Sequence, residues 1–322
     1  MSQFQRLHRM RRHATLRAML AETSIKPSDF ILPLFVREDI KTSVDVPSMP
    51  GIKQHSNDSL LREVASLVKR GLCTVLLFGI PARKDPQAMG AWNPNGVVQM
   101  AIRSLKSEFP DLMVWADCCL CEYTTHGQCG IVTTRGLDND ATLDALKKIA
   151  YSYANAGADA IAPSGMMDGA THAIRAALDQ AHYYHTLVVP YAAKYASSLY
   201  GPFRDAAGSA VSLSVSRQHH QLNPTQRLEA WREADADIQE GADLIIVKPA
   251  MMYLDMIRDL RNRILLPIVA YQVSGEYAMF KMAANKGIAS ETALFLESFQ
   301  AIKRAGSDLI ISYATADMLR NF

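Results

Sequence analysis

The sequence predicts an α/β fold, a (β/α)8 TIM barrel carrying an N-terminal arm, and three observations carry that prediction. Short apolar runs rich in Val, Ile and Leu alternate about eight times with stretches of helical periodicity. A phrase recurs at the seams: Gly157-Ala158-Asp159, Gly241-Ala242-Asp243 and Gly306-Ser307-Asp308 each close a helical stretch and open a strand. Glycine there supplies the left-handed turn that ends a helix. Finally, no G-x-G-x-x-G or Walker phosphate loop is present, which weakens the alternative of a doubly wound open sheet.

The strands expected in order are Ile31–Val36, Thr74–Ile80, Leu112–Ala116, Ala160–Ala162, Leu187–Pro190, Leu244–Val247, Ile268–Tyr271 and Leu309–Ser312. Most lack strict alternation, as strands covered on both faces should. Between the first two, Leu60, Leu61, Val64, Leu67 and Val68 form one apolar stripe. Asn57 and Asp58 precede it as N-cap types, and Lys69-Arg70-Gly71 closes it. A second helix runs from Asp140 to Gly157, with Leu143, Leu146, Ile149 and Ala150 inward. Residues 1–25 are expected to form the arm and residues 26–322 the catalytic barrel.

Hydrophobic residues make up 49% of the 322 residues and charged residues 20%, which suits a globular chain with a full core. The net charge of +2 gives no reason to expect a nucleic acid partner. No apolar run is long enough to span a bilayer, so no membrane partner is expected. Four of the five cysteines lie between positions 118 and 129, unlike a secreted disulfide framework, and a reducing cytoplasm is expected. Arg6, Arg9, Arg11, Arg12 and Arg17 precede the first acid, Glu22. A transit peptide would share that bias. The segment is short and lacks a Ser-rich body, so it reads as a solvated arm lying on a partner subunit.

In a (β/α)8 barrel the chemistry sits at the C-terminal ends of the strands, and polar residues fall there. The third strand delivers Asp117 and the cysteines, the fourth Ser164, and the fifth leads to Lys194. The sixth delivers Lys248, the seventh Tyr271 and Ser274, and the eighth Tyr313. Cys119, Cys121 and Cys129 crowd one loop, and thiolates so close are tolerable when a soft cation neutralises them. Three protein ligands leave a position open, the mark of a catalytic rather than a structural zinc site. Lys194 and Lys248 each follow an apolar strand. Burial and a second ammonium both push a lysine pKa down, and a neutral amine attacks a carbonyl to form a Schiff base. Arg204 in Tyr200-Gly201-Pro202-Phe203-Arg204, and Arg217 and Gln221 in the polar stretch Ser209–Asn223, are candidates to grip a carboxylate from a lid.

Longer segments carry a resemblance. They are Asp117-Cys118-Cys119-Leu120-Cys121-Glu122-Tyr123-Thr124-Thr125-His126-Gly127-Gln128-Cys129-Gly130, Ile161-Ala162-Pro163-Ser164, and Lys194-Tyr195-Ala196-Ser197-Ser198. Tyr200-Gly201-Pro202-Phe203-Arg204, Val247-Lys248-Pro249-Ala250 and Ala270-Tyr271-Gln272-Val273-Ser274-Gly275-Glu276-Tyr277 complete the set. Together they resemble the porphobilinogen synthase (5-aminolevulinate dehydratase) family, of the zinc-dependent kind. The resemblance implies a lyase of heme biosynthesis that condenses two 5-aminolevulinate molecules into porphobilinogen. It implies a Schiff base from Lys248 to the propionate-side substrate and a second from Lys194 to the acetate-side one. It implies zinc on Cys119, Cys121 and Cys129. Arg204, Arg217 and Gln221 would bind one carboxylate, and Ser274 and Tyr313 the other. It further implies a homo-octamer whose arms embrace neighbours and, as in some members, an allosteric magnesium near a carboxylate matching Glu233.

Departures from the pattern are the extra Cys118, Gln128 where the family often has His, and a poor match over Val211–Ser216. His219-His220 reads as a lid surface feature, and His182 and His185 as a solvated helix face. A class I aldolase-type Schiff-base lyase accounts for Lys248 but not for the second lysine or the cysteine loop. A zinc- or redox-sensing protein would leave both lysines idle.

Overall fold

Parallel strands curl into a closed barrel in the computed structural model, which describes residues 5–209 and 216–320. The staves are β1 (Phe30–Arg37), β2 (Thr74–Ile80), β3 (Met113–Cys118) and β4 (Ala160–Pro163). They continue as β5 (Leu187–Val188, resuming at Ala193–Lys194), β6 (Ile245–Lys248), β7 (Ile268–Gln272) and β8 (Leu309–Ser312). Each pairs in parallel with the next, and β8 pairs with β1. Every expected strand is present, within two residues at each end.

The fifth stave is interrupted because Pro190 has no N–H to give to a ladder. Its backbone still bridges both neighbours: Val189 N–H donates to Ile161 (2.8 Å), and Ile246 N–H donates to the Pro190 carbonyl (2.8 Å). Where it resumes, Ala193 pairs with Val247 and Lys194 with Lys248.

Along β1–β4 the side chains alternate between barrel interior and outer layer. Phe35, Leu76, Phe78, Trp115, Ala160 and Ala162 pack in one core. Leu34, Val36, Val75, Leu77, Val114, Ala116, Cys118 and Ile161 pack in another with the surrounding helices. By the same alternation Asp117 points inward and Cys118 outward.

The helix after β1 spans Asn57–Val68, and its cap is Ser56, one residue earlier than the sequence suggested. Ser56 Oγ accepts the Ser59 N–H, which leaves Asn57 free to start the helix. The helix after β3 spans Asn139–Ala156, capped by Asp138 and closed by Gly157. The seam glycines Gly157, Gly241 and Gly306 all have left-handed φ, at 101°, 101° and 120°. A side chain there would be strained, which explains the recurrence of glycine. Short helices at Leu7–Arg11 and Ala14–Met19 contain no buried residue. No helix among the described residues is long and apolar enough to cross a membrane.

Candidate active site

The register of β5 against β6 sets Lys194 beside Lys248 at the ends of their strands, both buried. Both amines look onto one ring: the Tyr191 centroid is 5.4 Å from Lys194 Nζ and 5.1 Å from Lys248 Nζ. The two lysines therefore share one chamber. Lys248 Nζ is also 4.1 Å from the Tyr271 centroid, 5.1 Å from Phe203 and 5.4 Å from Tyr200. Burial among these rings pushes the Lys248 ammonium down to about 7, and the nearby Lys194 charge adds to the fall. Lys194 Nζ is held by the backbone carbonyl of Ser164, the first residue after β4.

Asp117 projects inward from β3 beside both amines. Ser164 Oγ donates to its Oδ2 at 3.0 Å, while Oδ1 is buried without a hydrogen-bond partner. Burial raises this carboxyl to about 7, as does the Glu122 charge, against the pull of the two lysines. A group poised there can hold or release a proton at neutral pH.

Beyond Asp117 the chain turns through the cysteine loop. The sulfurs of Cys119, Cys121 and Cys129 lie within 4.8 Å of one another, all buried, and Cys119 is 3.4 Å from Cys121. None is in a disulfide. Hydrogen bonds from Cys119 and Cys121 hold the Cys129 thiol far below its ordinary range, so a thiolate forms readily there. Buried, unbridged sulfurs at this spacing fit a soft divalent cation. Cys118 takes no part. Its sulfur meets the Leu146 carbonyl at 3.8 Å in the outer layer.

Arg204 and Arg217 feel the charges of Cys121 and Cys129, and the Gln221 N–H donates to the Arg217 carbonyl. Arg217 Nη2 donates to the Gly127 carbonyl in the cysteine loop and to the Ser209 carbonyl, each at 2.7 Å. Arg204 Nε, Arg217 Nε and Gln221 Nε2 are buried with no acceptor. A buried donor left unmet costs about 1–3 kcal/mol, and an anion could satisfy the Arg204 and Arg217 nitrogens, whose charges act on one another. Residues 210–215, the centre of the expected lid and most of the poorly matching stretch, lie outside the described residues.

On the opposite flank, Tyr271 and Tyr313 share a hydroxyl contact of 3.1 Å. Ser274 Oγ accepts the Phe203 N–H at 3.0 Å. All three residues are buried behind Phe35, Phe78 and Phe203. Glu233 stands apart from the lysines. It lines a cavity of 390 Å³ with Asp168, His220 and Gln221. Burial raises its carboxyl, and the Asp168 charge raises it further.

Two sequence readings need correction. His182 and His185 are exposed but lie in the turn after the helix Ala170–Gln180, not on a helix face, because that helix ends before them. His219 is exposed as expected, but His220 is half-buried and turns toward Cys129, where it favours the thiolate. Reasoning from sequence also missed Glu122 and Lys84. The Glu122 carboxyl is buried, and its ligand atom lies within 4.8 Å of those of Asp117 and Cys119. Lys84 donates to the Gly208 carbonyl, and its charge interacts with Glu122 and Cys121. The acid in Cys121-Glu122 was visible in the loop; nothing local marked Lys84.

Comparison with known proteins agrees with this geometry. The family model for delta-aminolevulinic acid dehydratase matches residues 4–321. The delta-aminolevulinic acid dehydratase of Bacillus subtilis is 48% identical over 314 residues, covering 98% of this chain and 97% of that one. The Escherichia coli enzyme of that description is also 48% identical over 314 residues, covering 98% and 96%. The crystal structure of the Toxoplasma gondii delta-aminolevulinic acid dehydratase with porphobilinogen superimposes with a TM-score of 0.97. That pair is 40% identical, covering 99% of this chain and 92% of the other.

Proposed function

The chain belongs to the delta-aminolevulinic acid dehydratase family, and from that premise we propose the chemistry of its site. It joins two molecules of 5-aminolevulinate into porphobilinogen with loss of two waters, a step of tetrapyrrole biosynthesis. The observation that carries this reading is the pair of buried amines facing one Tyr191 ring, with three sulfurs and three unmet cationic or amide donors beside them.

Lys248 forms the imine with the propionate-side substrate. Its depressed pKa supplies the neutral amine that attacks the carbonyl, and the water lost is the first condensation water. Lys194 forms the second imine, with the acetate-side molecule. Asp117 stands next to both nitrogens with a pKa near that of Lys248, so it takes up the proton each attacking amine sheds. Arg204, Arg217 and Gln221 bind the acetate-side carboxylate, and Ser274 and Tyr313 bind the other. Tyr271 and Ser164 support Tyr313 and Asp117 through their hydrogen bonds.

Cys119, Cys121 and Cys129 would hold zinc, which when bound supplies a Lewis acid on the acetate side. Glu233, half-buried near Asp168, is the proposed receiver of an allosteric magnesium. Exposed Leu7, Met10, Met19 and Leu20 on the basic segment support an arm (residues 1–25) that packs on a neighbour in a homo-octamer. The cytoplasm is the proposed compartment, since the sulfurs must stay reduced.

The test is a colorimetric assay for pyrrole with Ehrlich's reagent after supplying 5-aminolevulinate, with and without zinc. Pyrrole formed only with metal supports the reading. A protein that binds zinc but makes no pyrrole under any metal loading would refute it.

A further inference from the structure

Glu276 lies outside the machinery assigned above, yet it is buried, and its two carboxylate oxygens grip two different loops. Oε1 accepts the Met251 N–H at 2.6 Å, in the loop that leaves β6 just after Lys248. Burial pushes this carboxyl up to about 7, and the Val273, Met251, Ala250 and Met252 amides pull against that rise. Oε2 accepts the Val273 N–H at 2.6 Å, in the turn that leads to Ser274. Glu276 lies in the first turn of the helix Ser274–Asn285, whose start is pressed against the chain before Phe203. A Cβ on Gly275 would lie 2.5 Å from the Leu199 carbonyl, and Ser274 Oγ bonds both Phe203 N–H and that carbonyl. Lys248 ends β6 and Ser274 begins the next helix, so one carboxyl ties together the segments that carry both.

We propose that Glu276 is the positioning residue that fixes the separation between the Lys248 amine and the carboxylate grip of Ser274, and so sets the chain length of keto acid accepted there. The inference rests on the proposed roles of Lys248 and Ser274. A keto acid reaches both groups only when its carbonyl and carboxylate match their spacing. A clamp of two 2.6 Å hydrogen bonds from one buried carboxyl holds that spacing. In Glu276→Gln an amide N–H faces one of the two backbone N–H donors, so one loop is released.

Imine trapping on the full-length protein tests this. Lys248 attacks the carbonyl, water leaves, and cyanoborohydride delivers hydride to the imine carbon, leaving a stable secondary amine that peptide mass locates. The probes are 4-oxopentanoate, which has the carbonyl-to-carboxylate spacing of 5-aminolevulinate, and 5-oxohexanoate, one methylene longer. The readout is the ratio of their trapping rates, which does not change with the fraction of protein folded. Wild type should favour the shorter acid, and Glu276→Gln should lower that preference about tenfold. Glu276→Asp keeps both oxygens on a shorter stem and should lower it less, and it carries the reading if the Gln variant does not fold. An unchanged preference in the variant that folds overturns the proposal. No label on wild-type Lys248 with 4-oxopentanoate removes the role of Lys248 itself, and the proposal with it.

Discussion

The two flanks of the chamber are built from opposite materials. On the side of the sulfurs, Arg204 Nε, Arg217 Nε and Gln221 Nε2 are buried donors without an acceptor. Around Lys248 the wall is aromatic, and besides Asp117 the polar groups are the hydroxyls of Tyr271, Tyr313 and Ser274, engaged with one another or with backbone. One flank is lined by charged and amide donors, whereas the other is lined by rings and hydroxyls. A reaction that takes the same molecule twice needs such a difference, because identical grips would not tell the first copy from the second.

The comparison can be broken most directly at the amines. Lys248→Ala should lower turnover by a factor of about a thousand or more and abolish borohydride labelling. Lys194→Ala should stop turnover equally while Lys248 still takes label from substrate. Equal labelling loss in both variants would show that the flanks are not separable. Metal removal comes next. A strong chelator should cut pyrrole formation by about a hundredfold or more, restored by zinc, and leave labelling at Lys248 intact. A chelator that also prevents labelling would place the metal's influence on both flanks.

Arg217→Lys should raise KM about ten- to a hundredfold, since a point charge replaces a fork that bonds Gly127 and Ser209 and still has Nε to offer. An unchanged KM would assign the carboxylate elsewhere. The pH dependence sharpens the aromatic flank. Burial and Lys194 place the Lys248 pKa at about 7, so the neutral fraction falls as pH drops below it. Imine formation, followed by quenched mass analysis, should slow about tenfold per pH unit below 7 and flatten above it. A break near 10 would mean an ordinary lysine. Tyr313→Phe should be mildest, a loss of a few-fold to tenfold in kcat/KM for one neutral hydrogen bond.

Most of the barrel could be read from the chain because buried parallel strands are continuous Val, Ile and Leu runs, as in Ile245-Ile246-Val247. The amines could be read because each directly follows such a run or its interrupted end. What escaped was contact across the fold. His220 is adjacent to Gln221 in sequence, but its approach to Cys129 depends on how the segment around Arg217 is bolted to Gly127. Glu276 resembles an ordinary first-turn acid, and only the return of the β6 exit loop to meet it reveals the clamp. Ser56 was overlooked as a cap because Asn57 and Asp58 are equally good cap types.

The pairing of Lys194 with Lys248 across two adjacent staves restricts how this chain can change in length. Because Ala193 and Lys194 pair in register with Val247 and Lys248, a one-residue slip of that short ladder would swing the Lys194 amine to the outer wall. A change of length at the tip of the hairpin of Ile131–Thr133 and Gly136–Asp138 would leave that ladder's register untouched.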